Sequence, residues 1–307
     1  MSDKINFHKL RRPDSCEHEL NAIHISSQAF TSQPDPAAAT TELVRSLRKH
    51  CTKNQSFNTA DNFLFYFWMT LLNAQRIIPI EHPWHEALIV AVDDLRRAGG
   101  PLVDNHTENL WGNLPGLSML ILDFWADFPD TTPEEIEDCK RWNSFVSGLV
   151  ARGCRWWIVY GYYEIREALE TASHDKPTSF DPATVFECKL WVATQWLIRC
   201  GGMLFQDATK SLESYTAQEV GSVGPGALCK DLPAFSIQRW HFRLSQLMEL
   251  ADRKSTTRLK DRAAHEVVMS QSSLSHVDQA IAAMHKWRSS ADAESQSSDD
   301  KDSSGTP

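Results

Sequence analysis

The apolar residues of this chain recur at helical spacing, and cap residues mark where the helices begin. The clearest case starts at Thr132, which is followed by Pro133 at the first helical position and by Glu135 three residues after the cap. The threonine hydroxyl and the glutamate carboxylate can each accept from the other's backbone N–H, and proline suits a first helical turn. Apolar side chains then fall near one face, at Ile136, Trp142, Phe145 and Leu149. The pattern predicts a helix that begins at residue 133 and ends at Gly153.

The same signals predict an all-α fold without strands. Caps and prolines indicate further helix starts at residues 41, 59, 83, 182 and 236. The pairs Gly99-Gly100 and Gly201-Gly202 are expected to end two of these helices. Weaker apolar stripes predict two more helices, around 259–267 and 277–284. The segment from Arg155 onward has a strand-like composition, but its apolar residues continue at helical spacing, so it is also predicted to be a helix.

These helices predict a single multi-helix domain of about nine helices over residues 38–288. Residues 1–37 are polar and irregular, with two prolines one residue apart near the end, and are expected to form a disordered or loosely ordered arm. Residues 289–307 are rich in Ser and Asp and set five carboxylates against Lys301. Too few apolar groups remain there to offset the entropy of ordering, so this acidic C-terminal tail is expected to be disordered.

Charge and hydropathy argue against binding to nucleic acid and against a membrane span. The formal net charge is −9, and no local run of basic residues supplies the dense positive field that a nucleic-acid surface needs. The first residues lack the apolar stretch of a secretory signal, and the densest apolar run, 63–72, is about half the roughly 20 residues that cross a bilayer. Seven scattered cysteines without a CxxC pair indicate reduced thiols. We therefore expect a cytoplasmic protein, with the nucleus as the alternative.

Two pairs of residues could hold a metal, but neither pair forms a complete motif. His82 and His85 lie three apart between acidic residues, a spacing that could supply two ligands to a transition metal. The HExxH pattern is absent, so helix capping is the favoured interpretation. Asp123 and Asp127 share a helical face, as carboxylates do in magnesium-dependent terpene synthases, but the paired DDxxD pattern is absent. We predict no metal and no cofactor, and keep these four residues as weak candidates.

Aromatic residues give the main indication of a binding function. The chain holds 11 Trp and 14 Phe, and one helical face cannot bury all the rings of segment 156–163. Some rings are expected to line a ligand pocket, a protein interface or a second core, against the simpler interpretation of an unusually aromatic core. Arg239 and Arg243, one helical turn apart, could bind an anion together or form salt bridges. The ligand or interface candidates are Trp111, Trp125, Trp142, Asn143, Trp156, Trp157, Tyr160, Tyr163, Arg166, Arg239 and Trp240.

Several segments resemble the signature of a fungal family of unknown function. They are Leu110–Leu117, Asp123–Trp125, Trp142–Phe145, Tyr163–Glu170 and Phe235–Trp240. They are similar to that family's Leu-Pro segment with a following Trp-bearing helix, its Trp-x-Asn-x-Phe helix, its Arg-x-Ala-Leu-Glu helix and its late Arg-Trp segment. The resemblance covers roughly residues 60–285. It implies a fungal, intracellular, all-α protein with genes near secondary-metabolite pathways in some members, and it transfers no catalytic or binding residue.

The sequence favours a non-enzymatic function. Helical periodicity without an ordered catalytic motif, together with the surplus of aromatic residues, predicts a helical protein that acts through protein contacts or binds a small apolar ligand. The alternative is an accessory protein or enzyme of fungal secondary metabolism with a buried aromatic pocket. The partner and the oligomeric state are not specified by the sequence.

Overall fold

A computed structural model gives the architecture of the chain. It describes residues 6–33, 35–53, 57–99, 111–125, 132–171, 181–210, 213, 215–252 and 269–302. Every regular element within these ranges is a helix, which confirms the all-α prediction. None of the helices in these ranges has the length and apolar character needed to cross a membrane. The helix predicted around 259–267 lies outside the described residues.

The described residues contain eleven α-helices and divide into two compact units, Met1–Pro129 and Asp130–Pro307. The helices are α1 (Glu17–Ser32), α2 (Pro36–Lys53), α3 (Phe57–Ile77), α4 (Pro83–Ala98), α5 (Leu117–Phe124), α6 (Pro133–Ala151), α7 (Ile158–Leu169), α8 (Pro182–Thr209), α9 (Ala217–Ser222), α10 (Ile237–Asp252) and α11 (Gln271–Asp302). Short 3-10 helices occupy Phe7–Leu10, Arg155–Trp157 and Ala227–Cys229. The boundary between the units, near residue 130, falls inside the helical domain predicted over 38–288.

In the first unit, α1 packs against α2 and α3, α2 packs against α4, and α5 packs against α3. The ring of Phe30 on α1 meets Trp84 at the start of α4 edge to face, with centroids 5.2 Å apart. Trp68 on α3 donates its indole N–H to the carbonyl of Pro115 at 3.0 Å, which fixes the segment that leads into α5. Large aromatic side chains therefore fill the spaces between these helices.

In the second unit, α8 is the central helix and contacts α6, α7, α10 and α11. Its Trp196 donates to the side-chain carbonyl of Asn143 on α6 at 2.8 Å. Gly161 on α7 makes room for the same ring, because a Cβ atom there would lie 2.5 Å from Trp196. Near the N-terminal end of α8, Glu187 accepts from the Ser273 hydroxyl of α11 at 2.6 Å.

Three of the predicted helix starts, at 132, 181 and 236, are confirmed by a hydrogen bond to the cap side chain. Thr132 accepts from the backbone N–H of Glu135 at 3.2 Å, as the capping pattern predicts. Asp181 accepts from the backbone N–H of Thr184 at 3.1 Å and opens α8. Ser236 precedes α10 and accepts from the backbone N–H at position 239 at 3.2 Å. These short-range signals located the helices because each is satisfied within four residues.

Two predicted boundaries are wrong. The pair Gly201-Gly202 does not end α8, which continues to Thr209. These glycines instead provide a flat surface for Trp287 of α11, since a Cβ at Gly202 would lie 2.9 Å from that ring. Helix α2 begins at Pro36 rather than near residue 41, because Asp35 accepts from the backbone N–H at position 38 at 2.8 Å and Pro36 suits the first turn.

The two ends of the chain contain more helix than their composition suggests. Helix α1 lies within the 1–37 segment expected to be a loosely ordered arm, and its Ala22, Ile23, Ala29 and Phe30 are buried. Their helical spacing is the physical reason, because it gives the segment one apolar face to pack. At the other end, α11 runs from Gln271 to Asp302, so it begins before the 289–307 segment and continues into it.

Candidate functional site

Two features of the second unit share helix α7. The first is an exposed aromatic stripe, formed by Trp156, Val159 and Tyr163 on α7 and the 3-10 turn before it. The second is a buried charge cluster, formed by Glu170 directly after α7 together with Arg239 and Arg243 of α10. The stripe can meet a partner, whereas the cluster fixes the position of the helix that carries it.

The aromatic stripe follows the helical repeat and faces solvent. Trp156 is 48% exposed and Val159, three residues later, is 36% exposed. Tyr163 follows after one further turn and is half-buried, with the guanidinium carbon of Arg166 4.9 Å from the centre of its ring. Trp156 also packs edge to face on the buried Trp157, with ring centroids 5.5 Å apart. This contact with a buried ring restricts the position of the Trp156 side chain.

The charge cluster is built around the carboxylate of Glu170. Arg239 donates from Nε to Oε1 at 2.8 Å and from Nη2 to Oε2 at 2.7 Å. Arg243, one turn further along α10, donates from Nε to Oε1 at 2.6 Å. The backbone N–H of Gly226 donates to Oε2 at 3.1 Å. All three charged side chains are buried, so these bonds form in a medium of low polarity.

Arg239 also holds the segment that precedes α10. Its Nη1 donates to the carbonyls of Val223 at 2.6 Å and Ala234 at 2.8 Å, and its Nη2 donates to the carbonyl of Gly224 at 3.1 Å. With the two bonds to Glu170, all five N–H groups of this guanidinium have an acceptor. Arg239 is therefore a structural residue that ties α10, the loop before it and the end of α7 together.

The carboxylate of Glu170 stays ionised in this setting. Burial raises the pKa of Glu170, but the charges of Arg243 and Arg239 and their hydrogen bonds outweigh burial and hold its pKa at about 2. Burial lowers the pKa of Arg243, and the proximity of Glu170 opposes that effect. The cluster therefore contains charged groups at neutral pH rather than a proton shared between neighbours.

A second buried carboxylate, Asp207 of α8, lies beside the cluster. Tyr162 donates its hydroxyl to Asp207 at 3.1 Å, and Tyr215 donates at 3.0 Å. Arg155, next to the stripe, forms an ion pair with the same carboxylate, and Lys210 lies 3.5 Å from it. Burial and then the charge of Asp207 raise the pKa of Tyr162, so its hydroxyl is a donor at neutral pH.

Tyr162 connects the two carboxylates, because its ring also faces the Arg243 guanidinium with 5.7 Å between the ring centre and Cζ. Phe235 packs edge to face on the same ring at 5.3 Å. The path from the surface to the interior thus runs from Arg155 through Asp207 and Tyr162 to the charge cluster. Each carboxylate on this path, Asp207 and Glu170, has an arginine beside it, which stabilises the buried negative charge.

The structure places the predicted site residues in three environments. Trp111, Trp142, Asn143, Trp157, Tyr160 and Trp240 are buried, whereas Trp125, Tyr163 and Arg166 are half-buried. Arg239 lies in the charge cluster and Trp156 is exposed. In the second unit, Trp156 of the 3-10 turn lies on the same side as Tyr163 and Arg166 of α7. Trp142 and Tyr160 meet edge to face inside the same unit, with centroids 5.6 Å apart.

The weak metal candidates do not form a common centre in the described residues. His82 caps α4, where its Nδ1 accepts from the backbone N–H of Trp84 at 3.2 Å. His85 is buried on the same helix, Asp123 is exposed on α5, and Asp127 lies outside the described residues. Across the ranges that the structure describes, no group of three or more His, Cys, Asp and Glu side chains could hold a metal ion.

Sequence reasoning identified the two arginines but missed their anion. Glu170, Tyr162 and Asp207 were not singled out, although Glu170 directly follows Leu169 at the end of an apolar stripe. Two features of the sequence together could have suggested this contact. One is a carboxylate that ends a run of apolar residues at helical spacing, and the other is a pair of arginines four residues apart elsewhere in the chain. The pairing itself depends on how α7 and α10 pack.

A family model described as Protein of unknown function (DUF3632) matches residues 68–244 of this chain. The match includes the whole aromatic stripe, Glu170, Asp207 and both arginines of the charge cluster. The comparisons with curated proteins and with solved structures found no match.

Proposed function

This chain belongs to the DUF3632 family of proteins of unknown function, and we propose that it acts without catalysis, by binding another protein through the aromatic stripe of α7. The observation that carries the proposal is the exposure of Trp156 beside Val159 on one helical face. Exposed tryptophan next to exposed aliphatic surface is costly in water and is typical of a contact surface.

The contrast with the other tryptophans supports this proposal. All 11 lie in the described residues, and eight of them are buried in helix packing. Trp156 is the exposed one. Protein interfaces are enriched in Trp, Tyr and Arg, and a few such residues contribute most of the binding free energy. Trp156 in the 3-10 turn, with Tyr163 and Arg166 on α7, supplies these three types.

The charges beside the stripe favour a partner with an apolar segment flanked by carboxylates. Arg155 and Lys210 each expose nearly half of their side chains, whereas their shared carboxylate, Asp207, is buried. The solvent-facing part of this ion-pair group is therefore positive. Opposite charges on the partner would steer the encounter and fix the register of binding.

The charge cluster supports the same function by holding α7 in place. Glu170 fixes the end of α7 to α10, and Tyr162 ties its middle to α8 through Asp207. A helix whose buried side is fixed to its neighbours loses little conformational entropy when its exposed side binds a partner. The buried ions thus favour a preorganised contact surface.

The finer parts of the sequence interpretation stay predictions. A cytoplasmic or nuclear location, a fungal setting and a link with secondary metabolism depend on the sequence resemblance and on composition. The alternative function, an accessory protein or enzyme with a buried aromatic pocket, has less support than protein binding, because most of the tryptophans pack between helices.

Site-specific photo-crosslinking tests the proposal. A photoreactive amino acid at position 159 should crosslink the full chain to a partner in its native cells. The same amino acid at position 248 is the matched control, since Met248 of α10 is 45% exposed in the same unit. We expect a discrete product from position 159 only, and equal products from both positions would contradict a specific stripe.

Binding by the purified partner gives the quantitative test. Trp156→Ala should raise Kd about 30-fold, the loss expected when an anchoring aromatic residue is truncated. Met248→Ala should leave Kd unchanged. A Kd unaffected by Trp156→Ala would overturn the proposed function.

A further inference from the structure

We infer that the second unit has a binding site for a small oxyanion, a carboxylate or a phosphate group, formed by Arg243 and Trp240 on one face of α10. Both residues lie in the interior, so this site is separate from the aromatic stripe. It goes beyond the proposed function, and neither proposal depends on the other.

Arg239 and Arg243, one turn apart on α10, differ in how many of their N–H groups have an acceptor. Arg239 uses every N–H group of its guanidinium, on Glu170 and on three backbone carbonyls. Arg243 donates to Glu170 through Nε, but its buried Nη2 has no acceptor in the described part of the chain. A buried donor without an acceptor costs about 1–3 kcal/mol, and more when it belongs to a charged group. We therefore expect a bound group to provide a hydrogen-bond acceptor for Nη2 of Arg243.

A second unpaired donor lies on the same helix. The indole Nε1 of Trp240 is buried and also has no acceptor among the described residues. Trp240 and Arg243 are three residues apart on α10, so their side chains are neighbours on the helix surface. Both groups donate hydrogen bonds, and neither Nη2 nor Nε1 can accept one at neutral pH. A group that pairs with both donors must therefore accept hydrogen bonds and need not donate any.

The charge cluster has an excess of positive charge. The cluster pairs two guanidinium groups with one carboxylate, so one positive charge is not matched within it. The other nearby carboxylate, Asp207, already accepts from Tyr162 and Tyr215 and pairs with Arg155. The ring of Tyr162 beside Arg243 offers only a weak cation–π contact at 5.7 Å. An anion matches this charge, whereas a neutral ligand or a water molecule would leave it uncompensated.

The burial of the site predicts slow exchange of the bound anion. Trp240 and Arg243 are 1% and 3% exposed, so an anion between them would be almost enclosed. The exposed cations of Arg155 and Lys210 give the surface nearby a positive potential that would attract anions. Binding experiments therefore need long equilibration, with the full chain in its folded state.

The test is a thermal unfolding titration of the full chain after exhaustive dialysis against chloride. Inorganic phosphate and acetate are added in separate arms at constant ionic strength, and bound phosphate is measured by equilibrium dialysis. We expect one arm to give a saturable rise in Tm of about 5–10 °C when the anion reaches about 100 times its Kd. The arm that responds identifies a phosphate or a carboxylate as the ligand class.

Two variants assign the effect to this site. Trp240→Phe keeps the aromatic packing and removes the N–H, and Arg243→Lys keeps the charge and removes the guanidinium fork. Each should weaken anion binding at least about tenfold, the effect of about 1.4 kcal/mol. Trp191→Phe, at another buried tryptophan of the same unit, should leave Kd unchanged.

The inference is overturned if neither anion shifts Tm more than chloride does, which would mean that water satisfies the two donors. It is also overturned if Trp240→Phe, folded as judged by its dichroism spectrum, binds the anion as tightly as the native chain. Should Arg243→Lys fail to fold, the Trp240→Phe variant alone decides the outcome.

Discussion

Arg239 and Glu170 meet through two parallel hydrogen bonds of 2.8 and 2.7 Å, although 69 residues separate them in the chain. This fork geometry is the strongest form of a guanidinium–carboxylate contact. It joins the end of α7 to the first turn of α10 inside the second unit. The position of the aromatic stripe, which α7 carries, depends on this contact.

Neutralising the carboxylate should destabilise the second unit strongly. Glu170→Gln leaves two buried guanidinium groups without their anion, and breaking a buried pair in this way costs about 3–5 kcal/mol. Urea unfolding of the full chain measures the change in the free energy of unfolding. Glu137→Gln is the control, because the Glu137 side chain, paired with Lys140 at 2.8 Å, is 48% exposed and the pair should contribute about 0–1 kcal/mol. Similar losses in both variants would contradict the role assigned to the cluster.

Acid should remove the contribution of Glu170. Its pKa is about 2 in the folded chain and near its ordinary value of 4.5 in the unfolded chain. The unfolded state therefore binds more protons between these values, and the stability contributed by Glu170 is lost as pH falls from about 4.5 towards 2. We expect the difference in unfolding free energy between the native chain and Glu170→Gln to narrow over that window. A constant difference from pH 7 to pH 3 would show that the carboxylate is not stabilised by the arginines.

Gly226 should not tolerate a side chain. A Cβ atom at this position would lie 2.4 Å from the backbone oxygen of Glu170 and 2.6 Å from its carbonyl carbon, and these backbone atoms cannot move aside as a flexible side chain could. Gly226→Ala is expected to lower the free energy of unfolding by about 1–3 kcal/mol. Gly221→Ala is the matched control: nothing lies within 4 Å of its Cβ position, and alanine in a helix should be neutral or stabilising by up to about 1 kcal/mol. Equal effects of the two substitutions would contradict the close packing at Gly226.

The contact between α8 and α11 should show coupling between Gly202 and Trp287. Gly202→Ala places a Cβ 2.9 Å from the ring and should cost about 1–3 kcal/mol. Combining it with Trp287→Leu should cost less than the sum of the single changes, because the smaller side chain leaves room for the new methyl group. Urea unfolding of the native chain, the two single variants and the double variant gives the coupling energy between the two positions. Strict additivity would mean that the ring does not rest on the glycine pair.

The sequence predicted the helices well where the signal is local. Thr132 and Asp181 start helices through bonds that span three residues, so their pattern is visible without a structure. Gly201-Gly202 misled the prediction because glycine both ends helices and accepts bulky rings, and only the position of Trp287 distinguishes these roles. Asp35 was missed as a cap because Pro36, which suits a first helical turn, was taken as a helix breaker.

The candidate site was predictable only in part. Aromatic content and the arginine pair indicated a binding surface and an anion contact, and the structure shows that the arginines hold Glu170. Which tryptophan is exposed could not be predicted, because Trp156 and Trp157 are adjacent and only one of them points into the packed interior. That choice depends on the turn between α6 and α7, whose Gly153 has a φ of 116°.

Hydrogen–deuterium exchange of the full chain, with and without the partner captured from position 159, is the sharpest test of whether the aromatic stripe binds a protein. We expect slower exchange on binding over residues 155–166 and no change in α10 around Met248. Slower exchange confined to other helices, with residues 155–166 unaffected, would contradict the assignment of the aromatic stripe as the contact surface.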